Sequence, residues 1–211
     1  KFQGKSYQEI AQAGGGIVNT VSHTCKASPQ ELLALAQKRA DQFIKQGVTT
    51  LECKSGYGLN LKSEIQILKT ISKIKNVRTV GTYLGPHAVP PGFSLNDYFA
   101  QVLEELPEVS KYTNTTDIFI EKGYFSAEQA KKYFEKAHSL KMHVRAHTNQ
   151  LNHSDGVELA VQMGALSCDH INFLEDTQIR RLANSETTAV LIPTADFYLN
   201  MRYPRARELI D

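Results

Sequence analysis

Six short apolar runs, rich in β-branched residues, recur along this 211-residue chain, and each is followed by a stretch with helical periodicity. The runs are VTTLEC (48–53), VRTVGTYL (77–84), TDIFIE (116–121), HVRAH (143–147), ALSCDHI (165–171) and TAVLIP (188–193). Strands separated by helices cannot pair as hairpins, so this alternation demands a parallel sheet with crossover helices. Start and stop signals mark the helices. Ser28 precedes Pro29 as a capping hydroxyl before a first-turn proline, an apolar stripe runs from Leu32 through Leu35, Ala36, Ala40 and Phe43, and Gly47 ends it. Ser126 and Gln129 have capping-box spacing, and Asp176 is the expected N-cap of TQIRRLAN.

Two architectures satisfy such a pattern, an open doubly wound sheet and a closed (β/α)₈ barrel. The open nucleotide-binding sheet calls for a glycine-rich turn after an early strand, and the GGG at 14–16 has no strand before it. The strand ends favour the barrel. Lys54 and Tyr57, His87, Glu121, His147 and Gln150, His170, and Thr194 with Asp196 each follow a strand. Chemistry collected at the carboxyl ends of consecutive strands is the barrel-enzyme arrangement. A barrel needs eight strands and six are visible. The chain opens at KFQGKSYQEI without a Met and stops at RARELID, and the expectation is a partial barrel belonging to a longer protein.

Charge and composition exclude other classes. Lys and Arg exceed Asp and Glu by only +2, with the signs interspersed, which gives no basis for binding nucleic acid or a membrane surface. No apolar run reaches the length of a bilayer span. The three cysteines lack CxxC spacing, and Cys53 and Cys168 fall in strand-like runs where free thiols are common, which suits a reducing, cytoplasmic setting.

His147 and His170 are the first candidates for a site. Along HVRAH, Val144 and Ala146 share one parity and His143, Arg145 and His147 the other, so His147 is expected inside the barrel at its mouth. Taken alone it reads more simply as a hydrogen-bonded core histidine. His170 ends the next strand, and two histidines on adjacent strand ends point to a metal or acid–base site. Asp169, of opposite parity, is expected to face outward. His143 is expected to be structural and His153 solvated. His87 sits in LGPHAVPPG, where Pro86, Pro90 and Pro91 stiffen the loop, and Tyr57 sits in the glycine-punctuated KSGYGLN. Neither loop is specific by itself.

Taken in order, GGGIVNTV, GVTTLECKSGYGL, LGPHAVPP, FIEKGYFS, VRAHTNQL, GALSCDHINFL and AVLIPTADFYL resemble the imidazolonepropionase family of the amidohydrolase superfamily across nearly the whole chain. The resemblance implies residues 1–211 as the central part of one amidohydrolase barrel domain, with about six of eight βα units present. It implies metal-dependent hydrolysis of 4-imidazolone-5-propanoate to N-formimidoyl-L-glutamate in histidine degradation. The family's zinc or iron is held by an HxH pair on the first strand, a histidine on the fifth and an aspartate on the eighth. Of these only the fifth-strand histidine matches here, at His147. By the same motifs His170 corresponds to the family's catalytic histidine, and Tyr57, His87 and Gln150 to substrate-binding positions. Ser22 and Cys25 stand where many members carry arginines.

The expected partners are a small-molecule substrate, one zinc or iron ion per intact site and, as one option, a second subunit in a homodimer. The 211-residue chain alone is expected to be inactive and to bind its metal weakly or not at all. Two other readings stay open: another cyclic-amide or deaminating hydrolase, and a diverged barrel that binds a small ligand without catalysis.

Overall fold

The computed structural model describes residues 17–210, with the GGG at 14–16 outside them. Two helices, α1 (Ile17–Lys26) and α2 (Pro29–Lys45), precede the first strand. Strands and helices then alternate as β1 (Thr50–Lys54), α3 (Leu61–Ile71), β2 (Arg78–Thr82), α4 (Leu95–Val109), β3 (Thr115–Ile120), α5 (Ala127–Ser139), β4 (His143–Thr148), α6 (Gly156–Gln162), β5 (Ser167–His170), α7 (Asp176–Ala183) and β6 (Thr188–Val190). The short helices α8 (Pro193–Leu199) and α9 (Ala206–Ile210) complete the described chain. No helix among the described residues is long and apolar enough to cross a membrane.

Every strand pair is parallel, and the spatial order follows the chain order. That order decides between the two architectures. A doubly wound sheet must reverse its strand order at a switch point, whereas a barrel adds each strand beside the last. The structure is therefore a six-strand part of a (β/α)₈ barrel. Its ladder is not continuous: β1–β2 and β3–β6 are separate hydrogen-bonded sheets. An isolated bridge at Tyr83 joins them, its N–H donating to the Thr115 carbonyl at 2.9 Å and its carbonyl accepting from the Asp117 N–H at 2.8 Å. Beyond Tyr83 the chain turns through Gly85 and Pro86, and proline has no N–H with which to extend a ladder.

The helix signals are met with one exception. Ser28 accepts from the Glu31 N–H, and the Glu31 carboxylate accepts from the Ser28 N–H. Ser126 and Gln129 pair in the same way. Asp176 is not the cap of α7. Glu175 is, its N–H bonded to the Gln178 side chain at 3.1 Å, while the Asp176 carboxylate takes Arg205 at 2.7 Å. On α2 the apolar stripe is only partly covered. Ala40 is buried, but Leu35 and Phe43 remain exposed.

The core lies between the outer face of the strands and the helices. Ile118, Ile120, Val144 and Ala146 pack there with Val102, Leu106, Val109, Tyr133, Phe134 and Ala137, all close to fully buried. The expected parity of β4 holds, since Val144 and Ala146 enter this core while Arg145 and His147 face the other way. His143 is exposed at the start of the strand.

Gly85 is the tightest backbone position near the mouth: an added Cβ would lie 2.0 Å from the Tyr83 hydroxyl oxygen and 2.2 Å from the ring carbon bearing it. Tyr83 is 1% exposed and cannot retreat. Gly85→Ala is expected to lower unfolding free energy by about 1–3 kcal/mol, measured by urea denaturation followed by circular dichroism.

Candidate functional site

The inner face of the strands is lined with charge. Lys54 from β1 places its ammonium 2.6 Å from Asp117 Oδ2 on β3 and 2.8 Å from Asp169 Oδ2 on β5. Glu52 accepts from Thr82 at 2.6 Å and pairs with Arg145 at 2.9 Å, and Arg145 also donates to the Ser167 hydroxyl at 2.9 Å. Ser167 in turn donates to Asp169 at 2.9 Å. His147 Nδ1 lies 3.0 Å from Asp117 Oδ2, and its Nε2 lies 3.9 Å from Asp169 Oδ2.

Asp169 therefore faces inward, contrary to the outward placement expected from its neighbour. Along β5, Ser167 and Asp169 share the inner face, and strand parity alone would send His170 outward. It does not go there, because His170 and Ile171 adopt left-handed backbone conformations, φ +76° and +45°. Such angles are strained for non-glycine residues and demand support. Hydrogen bonds from Ile171 N–H to the Thr148 carbonyl and from Phe173 N–H to the Asn149 carbonyl supply it. The Asn149 side chain also donates to the Phe173 carbonyl at 2.7 Å. The break in the strand turns the His170 ring toward His147, with centroids 5.3 Å apart.

Four of the five candidate residues form one row of rings across the mouth. Tyr57 meets His87 edge-on at 5.3 Å, His87 meets Phe119 at 6.3 Å, and Phe119 meets His147 at 6.4 Å, next to His170. Gln150 is not in the row. It lies half-buried in the loop after β4, where Glu121 accepts from the next residue's N–H, Leu151, at 2.9 Å and from the Asn152 side chain at 3.2 Å. His153 is exposed, its ring against Phe173. Cys25 is exposed, with its thiol 3.4 Å from the Gly58 carbonyl, so it touches the SGYG loop. Asp117, Asp169 and Glu52 were missing from the sequence candidates. For Asp117 a signal was present, a charged residue inside the apolar run TTDIFI, which the structure buries at all six positions.

Charge balance sets the protonation of this layer. Burial opposes the Lys54 charge, but Asp117, Asp169 and Glu52 outweigh it and hold the ammonium above its ordinary range. Burial likewise opposes ionisation of Asp117, yet His147 and Lys54 keep its carboxyl well below the usual carboxylate range. His147 is pulled down by burial and more strongly up by Asp117 and Asp169, so its pKa is raised. His170 goes the other way, down to about 3, through burial and then the charge of His147. His87 falls to about 4, chiefly by burial.

Asp117, His147 and Asp169 are the group among the described residues whose donor atoms lie close enough to share a cation. The contact of His147 Nδ1 with Asp117 is the carboxylate–histidine arrangement that orients the second ring nitrogen toward a metal. Both carboxylates, however, are already held by the Lys54 ammonium. These residues thus fit a metal as one ligand nitrogen with its orienting carboxylate, and do not make a closed four-ligand set.

Two outcomes test this layer. Lys54→Met leaves Asp117 and Asp169 buried without their cation and is expected to cost about 3–5 kcal/mol. The further changes Asp117→Asn and Asp169→Asn should recover much of that loss in denaturant unfolding. His87 has a lower pKa folded than unfolded, so the unfolded chain binds the extra proton between the two values. Its contribution is intact above pH about 6.5 and is lost as the pH falls toward 4. His87→Gln should flatten that acid loss by on the order of 1–3 kcal/mol, read from unfolding at pH 7 and pH 4.5.

No family model matches the chain. Among solved structures, adenine deaminase from Arthrobacter aurescens aligns over 98% of this chain and 65% of that one, at 13% identity and a TM-score of 0.73. A mutant of atrazine chlorohydrolase TrzN from Arthrobacter aurescens TC1, complexed with zinc and atraton, aligns over 98% and 52% at 10% identity and a TM-score of 0.66. At those identities the likeness is one of fold. Sequence relatives are nearer. The imidazolonepropionase of Bdellovibrio bacteriovorus is 48% identical over 99% of this chain and 50% of its own length. Those of Kosmotoga olearia and Caldanaerobacter subterraneus are 40% and 41% identical over 100% of the chain and 53% of their own lengths. By sequence the chain is a relative of the imidazolonepropionases, spanning about half the length of those it matches.

Proposed function

We propose that these residues belong to an enzyme that hydrolyses the cyclic amide C–N bond of 4-imidazolone-5-propanoate to give N-formimidoyl-L-glutamate, in the cytoplasm, as a step of histidine degradation. Residues 1–211 form the central part of its single barrel domain. The observation that carries the reading is the row Tyr57, His87, His147 and His170 across the mouth, with Asp117 behind His147. The sequence relatives supply the substrate.

His147 is the metal ligand in this reading, with Asp117 fixing its ring, and the remaining ligands come from segments outside these residues. When bound, zinc or iron supplies a water acidic enough to be deprotonated near neutral pH. The residues of this chain do the rest. His170, a neutral imidazole beside His147, donates an N–H to the carbonyl oxygen as charge develops there. Water adds to the ring carbonyl and gives up one proton, the C–N bond breaks, and the departing ring nitrogen takes up that proton. Tyr57 and His87 hold one side of the ring. Gln150, which has no acidic proton to give, makes hydrogen bonds only.

The test uses the chain completed with its flanking segments. His170→Ala should lower kcat for imidazolonepropionate hydrolysis by about 10²–10⁴-fold while metal content stays unchanged. Near-normal turnover would refute the role of His170. The 211-residue chain, measured in parallel for bound zinc and iron, should hold far less than one ion per molecule. A completed chain that binds metal and substrate without turnover would instead be a small-ligand-binding barrel.

A further inference from the structure

Glu64 is a carboxylate in the first turn of α3, and it is 1% exposed with no cation among its contacts in the described residues. Burying such a group is costly unless every lone pair is used. Its partners are backbone N–H groups of the preceding loop. Oε2 accepts from Gly56 at 2.7 Å, and Oε1 accepts from Gly58 at 2.7 Å and Leu59 at 2.9 Å. Capping of the helix is not its task, because Asn60 already accepts the Ser63 N–H at 3.0 Å. The loop is shaped to reach this carboxylate. Gly56 has φ +93°, and a Cβ there would lie 2.6 Å from the Leu84 carbonyl oxygen. A Cβ on Gly58 would lie 2.7 Å from the Glu64 nitrogen.

The Gly56 residue carries the effect onward. Its N–H is held by Glu64, and its carbonyl lies 3.1 Å from His87 Nδ1. A carbonyl can only accept, so the imidazole must carry its proton on Nδ1, which leaves Nε2 as an acceptor. Tyr57, between the two clamped glycines, rests edge-on against the same ring.

We infer that Glu64 is a positioning residue for the mouth: through the backbone of Gly56 it fixes the His87 tautomer and seats Tyr57, so that the site presents an acceptor to a ring N–H of a cyclic amide or amidine. This rests on the reading of Tyr57 and His87 as ligand-binding residues. The pattern selects for ligands that donate at that point and against isosteric rings with a lone pair there, which would face Nε2 lone pair to lone pair.

The experiment uses the ¹⁵N-labelled 211-residue chain, wild type and Glu64→Gln. Glutamine has one oxygen, enough for Gly58 and Leu59, and turns an amide NH₂ toward the Gly56 N–H. The wild type should show His87 as a single Nδ1–H tautomer with slow exchange at the Gly56 amide. In Glu64→Gln, Gly56 exchange should rise at least about tenfold, with Gly58 and Leu59 still protected and His87 split between tautomers. An Nε2–H tautomer in the wild type overturns the inference, whether or not the variant folds. So does a folded variant with unchanged Gly56 exchange and an unchanged His87 spectrum. Titration with imidazole-4-propanoate separates the two claims. Absence of shifts at Tyr57 and His87 overturns the ligand-binding reading, while the role of Glu64 stands or falls on the tautomer.

Discussion

The Lys54 ammonium between Asp117 and Asp169 is the contact on which the interior of this barrel turns. It ties β1 to β3 and β5, strands that share no ladder with one another. Two buried carboxylates on one face would repel and force one to take up a proton, and a single cation between them prevents that. Asp117 stays ionised as a result, and an ionised Asp117 can hold the Nδ1 side of His147. Counted with Glu52 and Arg145, the layer has three carboxylates and two permanent cations. The remaining positive charge falls to His147, by a proton or by a bound metal. The position of the proposed ligand is thus a consequence of the layer beneath it.

Above that layer, the loops of the mouth are shaped by carboxylates that play no part in the proposed chemistry. Glu64 gathers the loop after β1, and Glu121 gathers the loop that follows Gln150. Both spend their lone pairs on backbone or amide N–H groups, so each works as a local template. Residues that touch a ligand are held in this way by residues that never meet it.

Much of this could be read from the chain. The six strands, the parallel arrangement, the Ser28 and Ser126 caps and the inward parity of β4 follow from local periodicity and capping chemistry. The pairing of His147 with His170 also followed, although strand parity argues against it, because the left-handed backbone of His170 leaves no mark in the sequence. For the same reason Asp169 was misplaced: a break in the strand one residue later reverses the sides expected of its neighbours. The role of Lys54 depends on Asp117 and Asp169, 63 and 115 residues away, and that of Glu64 on Gly56, 8 residues away, with geometry that no local pattern encodes. Asp176 failed as a cap because Arg205, distant in the chain, competes for it.

The break in the ladder at Tyr83 divides the row of rings. Tyr57 and His87 ride on the first sheet, while Phe119, His147 and His170 ride on the second. The backbone joint consists of the two Tyr83 hydrogen bonds together with the bond from Phe119 N–H to the Pro86 carbonyl at 3.0 Å, and the Thr113 and Thr116 hydroxyls add bonds to the Gly81 and Tyr83 carbonyls. The mouth is therefore a jaw whose halves meet in few backbone bonds, with the Lys54 ammonium and the Glu52–Arg145 pair tying them together beneath. Its gape, and so the width of any ring held between His87 and His147, depends on the backbone at 83–86 and on the ion pairs beneath it. Relatives with the same imidazoles and a different turn at those positions would grip rings of a different size.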